Sequence, residues 1–246
     1  MSKEAAGQSN SVLRRILTEW PVFRRFPLYV WLCLAAMYAV QMPAFSGTQF
    51  LLPLMPPPHD LTTALDLAIP FSAPWIAVYY LAFISWPVSC VWILSESKPY
   101  GYRFAAAYIL NLLISAAFFL CFPCTMERPP VTGTDLFSLW VRFTYFMDNP
   151  VNLFPSLHVA FSYLCWRGTL GCRRIPLWYK WFNFVFLLLV CCSIIFVKQH
   201  VVWDIPPALA VGEATLQLAR LLRLERIGFA VERARSRKKE GGNQNE

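Results

Sequence analysis

Long apolar runs without a charge dominate the chain. Residues 26–59, 67–95, 104–126, 149–166 and 181–197 hold no Asp, Glu, Lys or Arg. A helix crosses the hydrocarbon core of a bilayer with about 20 apolar residues, within a range of roughly 17–25. The runs therefore predict helices near 27–45, 74–95, 104–122, 155–172 and 178–198. A sixth helix, near 203–224, carries Asp204, Glu213 and Arg220 and has the least defined ends. Proline blocks helix interiors, so the PLMPPPHD and LAIPFSAPW stretches make 46–73 irregular or re-entrant. The segment 123–154 contains one amphipathic stretch, LFSLWVRFTYFM, suited to a membrane interface. The fold class is all-α: a polytopic membrane protein, a six-transmembrane-helix bundle with no internal repeat.

The basic residues orient this bundle. With the amino terminus inside, 19 of the 22 Lys and Arg residues fall on the cytoplasmic side. That is the asymmetry the positive-inside rule demands, and it places both termini in the cytoplasm. The exceptions are Arg128, Arg142 and Lys198. Three regions follow: a basic cytoplasmic or interfacial segment at 1–25, a membrane domain at 26–224 and a basic cytoplasmic tail at 225–246. The mixture of arginine pairs with Leu, Trp and Phe in 11–26 suits either a surface helix or a flanking loop. The first span reads as an uncleaved anchor. The GGNQNE at the end is expected to be disordered.

Composition excludes several classes. Charged residues are 15% of the chain, against roughly 25% in soluble domains, which argues against a soluble enzyme. The net charge of +8 does not imply nucleic acid, because the basic residues gather between the apolar runs. Eight irregularly spaced cysteines do not make a disulfide scaffold. Cys121 and Cys124 form a C-x-x-C that reads as a reduced, packed pair.

The histidines carry the chemistry. His158 opens the fourth span in Pro155-Ser156-Leu157-His158, and His200 closes the fifth before Val201-Val202-Trp203-Asp204. The chain goes in and returns between them, so both belong at the outer boundary. Arg128 ends the third span on that face. Ionisable groups at membrane depth are costly and usually functional. On a helix, His200 and Asp204 would share a face; the carboxylate then fixes one imidazole nitrogen and leaves the other as a nucleophile. The start of a helix at Ser156 suits an anion, and Arg128 offers a bidentate fork. Lys198 adds a point charge, and His158 can protonate a leaving oxygen. The set points to phosphoryl transfer through a phosphohistidine.

Arg128-Pro129, Pro155-Ser156-Leu157-His158 and His200-x-x-x-Asp204 together resemble the type 2 phosphatidic acid phosphatase (PAP2) superfamily. Asp148-Asn149-Pro150-Val151-Asn152-Leu153-Phe154 is similar to its PSLH-containing branch of inositolphosphotransferase-like, sphingomyelin-synthase-like and bacterial lipid phosphatase enzymes. The likeness covers roughly residues 65–215. It implies His200 as nucleophile, Asp204 as its orienting partner, His158 as acid–base, Arg128 and Ser156 as phosphate ligands, and no metal or cofactor. It further implies a lipid phosphate substrate in the bilayer and an active site on the external face of a bacterial inner membrane. Two cations of the pattern are missing: Cys121 stands seven residues before Arg128, and Ser193-Ile194 stands where Ser-Arg is usual. Lys198 and Arg142 are the candidate replacements.

Other readings explain less. A Ser156–His200 hydrolase dyad lacks the G-x-S-x-G turn and leaves Arg128 without a role. A zinc site has only two converging histidines, because His59 lies in a proline-rich loop. Glu213 in the sixth span marks either a transport path or a polar contact inside the bundle. A phosphotransferase with an alcohol acceptor uses the same histidines, and a non-enzymatic protein on the same fold has no need of them. The topology makes a direct prediction. In a cysteine-free background, single cysteines at 128, 156 and 200 should react with an impermeant thiol reagent added from outside; labelling only from the cytoplasmic side overturns the six-span arrangement.

Overall fold

The computed structural model describes residues 25–51 and 54–242, with side chains as far as 237. The proposed surface stretch at 11–26 lies almost wholly outside the described residues, as do Lys3, Arg14, Arg15, Arg24 and the last four positions of GGNQNE. A helix stands at each place the apolar runs indicate: α1 (Leu28–Met42), α3 (Ile76–Leu94), α4 (Lys98–Cys121), α6 (Leu157–Leu170), α7 (Leu177–Phe196) and α8 (Ile205–Leu221). Shorter α2 (Ala64–Ala68) and α5 (Leu136–Met147) lie between them, and α9 (Glu225–Gly242) follows. The other regular structure among the described residues is a two-residue parallel pair, β1 (His59–Asp60) with β2 (Cys124–Thr125), besides a three-residue helical turn at Thr48–Phe50 and short 3₁₀ and π turns.

Four helical stretches are long and apolar enough to cross a membrane: Leu28–Phe50, Ala73–Leu94, Lys98–Cys121 and Leu177–Phe196. Their outward residues are mostly apolar; Leu81, Ile84 and Val88 on α3 and Trp178, Trp181 and Leu188 on α7 are all exposed. These surfaces are compatible with an integral membrane protein. The fourth and sixth predicted spans are shorter. With 14 residues, α6 reaches about 21 Å. It packs against α3, α4, α7 and α8, so its neighbours rather than solvent or lipid cover most of it. That position explains its composition: Ser162 and Thr169 are buried, and Ser162 accepts a hydrogen bond from the Trp86 indole at 2.9 Å. A second polar tie, Ser89 to Asn183 at 3.0 Å, joins α3 to α7.

Local chemistry sets the helix ends. Ser97 caps α4, whose first turn includes Pro99, so α4 starts six residues before its predicted start at 104. The charge of Arg103 inside it is met by Glu225 at 3.0 Å. Asp135 caps α5 through the N–H groups of Phe137 and Ser138. As its pattern suggested, α5 is amphipathic: Leu139, Phe143 and Phe146 point outward, while Thr144 faces in and bonds the Tyr80 hydroxyl at 2.8 Å. The tail is more ordered than a simple basic segment. Phe229 of α9 packs edge-on against Tyr102 of α4 at 5.2 Å, and Lys98 pairs with Glu232.

The helices of the centre approach closely at Gly168 of α6, where a Cβ would lie 2.8 Å from Phe104 Cε2 and 2.9 Å from Ile93 Cδ1. Both neighbours belong to packed helices. Gly168→Val should therefore lower stability by about 1–3 kcal/mol through overpacking, read as a fall in unfolding temperature in detergent; an unchanged value would show that the α3–α4–α6 contact is loose.

Candidate active site

Three chain segments converge at one end of the bundle. The first follows α7. Lys198 adopts φ 52°, Gln199 N–H bonds the Ile194 carbonyl and Lys198 N–H bonds that of Ile195. This is a Schellman turn with lysine at the left-handed position, where glycine is usual. The reversal sends Gln199, His200 and Val201 back across the helix end. A 3₁₀ turn, Val202–Asp204, then leads into α8. His200 and Asp204 thus meet without a shared α-helical face: the 3₁₀ turn brings Asp204 Oδ2 to 3.0 Å from His200 Nδ1. The same oxygen accepts the Val201 N–H at 3.1 Å. Both side chains are buried.

The second segment is the start of α6. Ser156 caps it, its hydroxyl oxygen accepting the Val159 N–H at 3.5 Å, and its own N–H bonds the Asp204 carbonyl at 3.3 Å. The positive end of the α6 dipole therefore lies beside the imidazoles. His158 stands with its ring centroid 5.8 Å from that of His200. Aromatic rings surround it: Tyr79 at 4.4 Å, Trp86 at 5.4 Å and Phe83 at 5.6 Å. Its Nε2 is shielded and has no hydrogen-bond partner. It lines a cavity of about 270 Å³ with mostly apolar walls.

The third segment carries Arg128. Its guanidinium donates to Gln199 Oε1 at 2.8 Å and to the Asp148 carbonyl at 2.5 Å. It stacks over Tyr145 at 4.7 Å, and the Asp148 carboxylate lies 3.6 Å away. Arg128 Nε and Gln199 Nε2 are buried donors without partners. Arg128 thus reaches the loop of His200 through Gln199.

The two substitute cations go elsewhere. Lys198 Nζ donates to the carbonyls of Asp66 and Ile69, at 2.7 and 2.6 Å, beside the end of α2. Arg142 donates to the carbonyls of Val131 and Gly133. Both bind protein oxygens rather than standing free beside the histidines. His59 stacks on Phe122 at 4.6 Å and belongs to the β1 segment. Glu213 holds Arg167 and Tyr163, so it is a polar contact inside the bundle. Ser156 is fully buried and His200 nearly so, which shields thiols at those positions. Glu127 and Trp203 are exposed and report the same boundary in the labelling test.

Several residues of the site were not singled out from sequence. Asp66 completes a capping box with Thr63 at the start of α2 and accepts the Val202 N–H at 2.7 Å, pinning the turn before Asp204. Its signal was the Thr63-x-x-Asp66 spacing. Gln199 had none beyond its place beside His200. Asp148 was visible within the Asp148-Asn149-Pro150 segment; Gln49 donates to it at 3.0 Å. Burial pushes the Asp148 carboxyl above its ordinary range, and the Arg128 charge pulls it partly back.

No protein-family model matches the chain, and no curated protein or solved structure does either. The ion pair gives a test of its own. A carboxyl raised by folding favours the folded state fully below its unfolded pKa, about 3.9, and that contribution is lost as pH rises through the folded value. Arg128→Gln removes the compensating charge and raises Asp148 further. The variant should lose up to about 3 kcal/mol near neutral pH, the low end for a broken buried pair, since Asp148 keeps 22% side-chain exposure. Its deficit in unfolding temperature should widen as the pH rises above about 4; a deficit independent of pH would separate Asp148 from Arg128.

Proposed function

We propose that this chain is an integral membrane enzyme of PAP2 type that hydrolyses a lipid phosphate ester through a phosphohistidine, with six spans, both termini cytoplasmic and the site at the external face. The observation that carries this reading is the His200 Nδ1–Asp204 Oδ2 contact at 3.0 Å opposite a second, unpartnered imidazole. Asp204 fixes the tautomer in which His200 Nδ1 carries the proton, so Nε2 holds the lone pair. That nitrogen attacks phosphorus. The N–P bond forms as the ester P–O bond breaks, and His158 gives its proton to the leaving oxygen. Water then attacks the phosphohistidine, His158 takes the proton, and phosphate departs. Arg128 Nε, Gln199 Nε2 and the Ser156 hydroxyl are the donors for the phosphoryl oxygens.

Two imidazoles with centroids 5.8 Å apart are in the range of a packed aromatic pair, and a phosphoryl group in line between them needs more room. His200 is held by Asp204. His158 Nε2 has no hydrogen-bond partner, so His158 is the ring that gives way, into its aromatic cavity. That cavity also favours a second reading. Its walls of Tyr79, Phe83 and Trp86 suit a lipid alcohol, which would replace water as acceptor and make the enzyme a phosphotransferase.

A purified-protein assay on a panel of lipid phosphates, with and without alcohol acceptors, tests both. His200→Ala should abolish turnover. Asp204→Asn should cost on the order of 10⁴-fold with the fold intact. His158→Ala should cost about 10²–10⁴-fold, least for substrates with a good leaving group. Wild-type turnover in His200→Ala would refute the phosphohistidine; inactivity of the folded wild type on every substrate would leave a non-enzymatic protein.

A further inference from the structure

A second polar site lies at the opposite end of the bundle. A cavity of about 450 Å³ opens there, within the range of small-molecule sites. Arg103 comes from the first turns of α4, Arg167 from the last turn of α6 and Arg220 from the last turn of α8. The same three helices have their other ends near Arg128, His158 and Asp204, so the cavity is separated from the histidines by about the length of α6, roughly 21 Å.

The charges of this cavity are unequal. Arg103 donates through Nε and Nη2 to Glu225, and Arg167 does so to Glu213. Each guanidinium has five N–H donors, so both retain donors after the fork is used. Arg220 is exposed and takes part in no ion pair among the described residues. No carboxylate residue lines the cavity among the described residues; Phe104, Leu170 and Leu216 do. Three guanidinium groups thus stand beside an apolar wall.

The geometry points to a binding site for the phosphate-bearing headgroup of an anionic lipid. Arg220 offers a free fork to phosphate oxygens and Arg103 and Arg167 keep their remaining N–H donors beside it, as basic pockets between membrane helices do for acidic headgroups. The apolar wall receives the glycerol and first methylene groups, which a free phosphate lacks. With Arg103 and Arg167 already paired to carboxylates, the excess positive charge is that of Arg220, and a zwitterionic headgroup, whose ammonium balances its own phosphate, gains less from it than an anionic one. Nothing in this inference requires the catalytic reading of the histidines.

The full-length chain, purified in detergent and delipidated, is unfolded thermally with phosphatidylglycerol, phosphatidylcholine or inorganic phosphate at equal concentration. Phosphatidylglycerol should raise the unfolding temperature by several degrees, as a ligand of the folded state does, and the other two should do little. Arg220→Gln should weaken that response about tenfold in lipid concentration, the loss of one charged hydrogen bond, and Arg220→Lys should largely keep it. An undiminished response in Arg220→Gln overturns the site, as does an equal rise with phosphatidylcholine or no rise with any of the three. An equal rise with inorganic phosphate assigns the cavity to a free anion and overturns the lipid. Should Arg220→Gln fail to fold, Leu170→Glu places a carboxylate on the exposed wall, and a retained phosphatidylglycerol response there overturns the site as well.

Discussion

Asp204 is the residue on which the histidine-bearing end of the molecule is built. One carboxylate oxygen accepts from His200 Nδ1 and Val201 N–H, and its backbone carbonyl accepts from Ser156 N–H. Three segments are thereby tied together: the reversal after α7, the start of α6 and the start of α8. Asp204 is fully buried. A buried carboxylate is tolerated only with partners, so those bonds hold the histidine loop in one arrangement. Asp66 reinforces it from outside by holding Val202 N–H, and Lys198 ties the turn to α2.

The same economy runs through the bundle. The outer helices face outward largely with apolar side chains, and several inward polar groups, such as Ser89 and Asn183, find one another. The most enclosed helix, α6, is also among the more polar ones, since protein rather than hydrocarbon surrounds it. Two of its polar residues are met by neighbouring helices, Ser162 by Trp86 and the Arg167 guanidinium by Glu213, while His158 Nε2 stays without a partner. One helix consequently carries a histidine at its first turn and a paired arginine at its last, and it connects the two polar ends of an otherwise apolar body.

Arg128 shows how a cation is used where burial is expensive. It is spread over a carbonyl, an amide oxygen, an aromatic face and a carboxylate. Gln199 is what places it near His200. In the proposed phosphoryl transfer the unpartnered Arg128 Nε and Gln199 Nε2 supply donors where the sequence lacks two expected cations.

Hydrophobic runs determined the positions of the main helices, because long charge-free segments have few alternatives to a helix that satisfies its own backbone. The helix start at Ser156 was legible for the same local reason, whereas the caps Ser97 and Asp135 were not read from the sequence and α4 begins six residues before its predicted start. The meeting of His200 with Asp204 was legible too, although the chain reached it through a left-handed lysine and a 3₁₀ turn rather than on a shared α-helical face. Only tertiary structure decided where the long basic side chains went. Lys198 and Arg142 have several rotatable bonds, and which carbonyls they reach depends on α2 and on the 131–133 loop, both remote from any local pattern. Tertiary packing likewise chose Gln199 as the link to Arg128, Asp66 as the pin beneath the turn, and α6 as the enclosed helix. Each depends on which segments lie side by side, and periodicity along one segment carries no record of its neighbours.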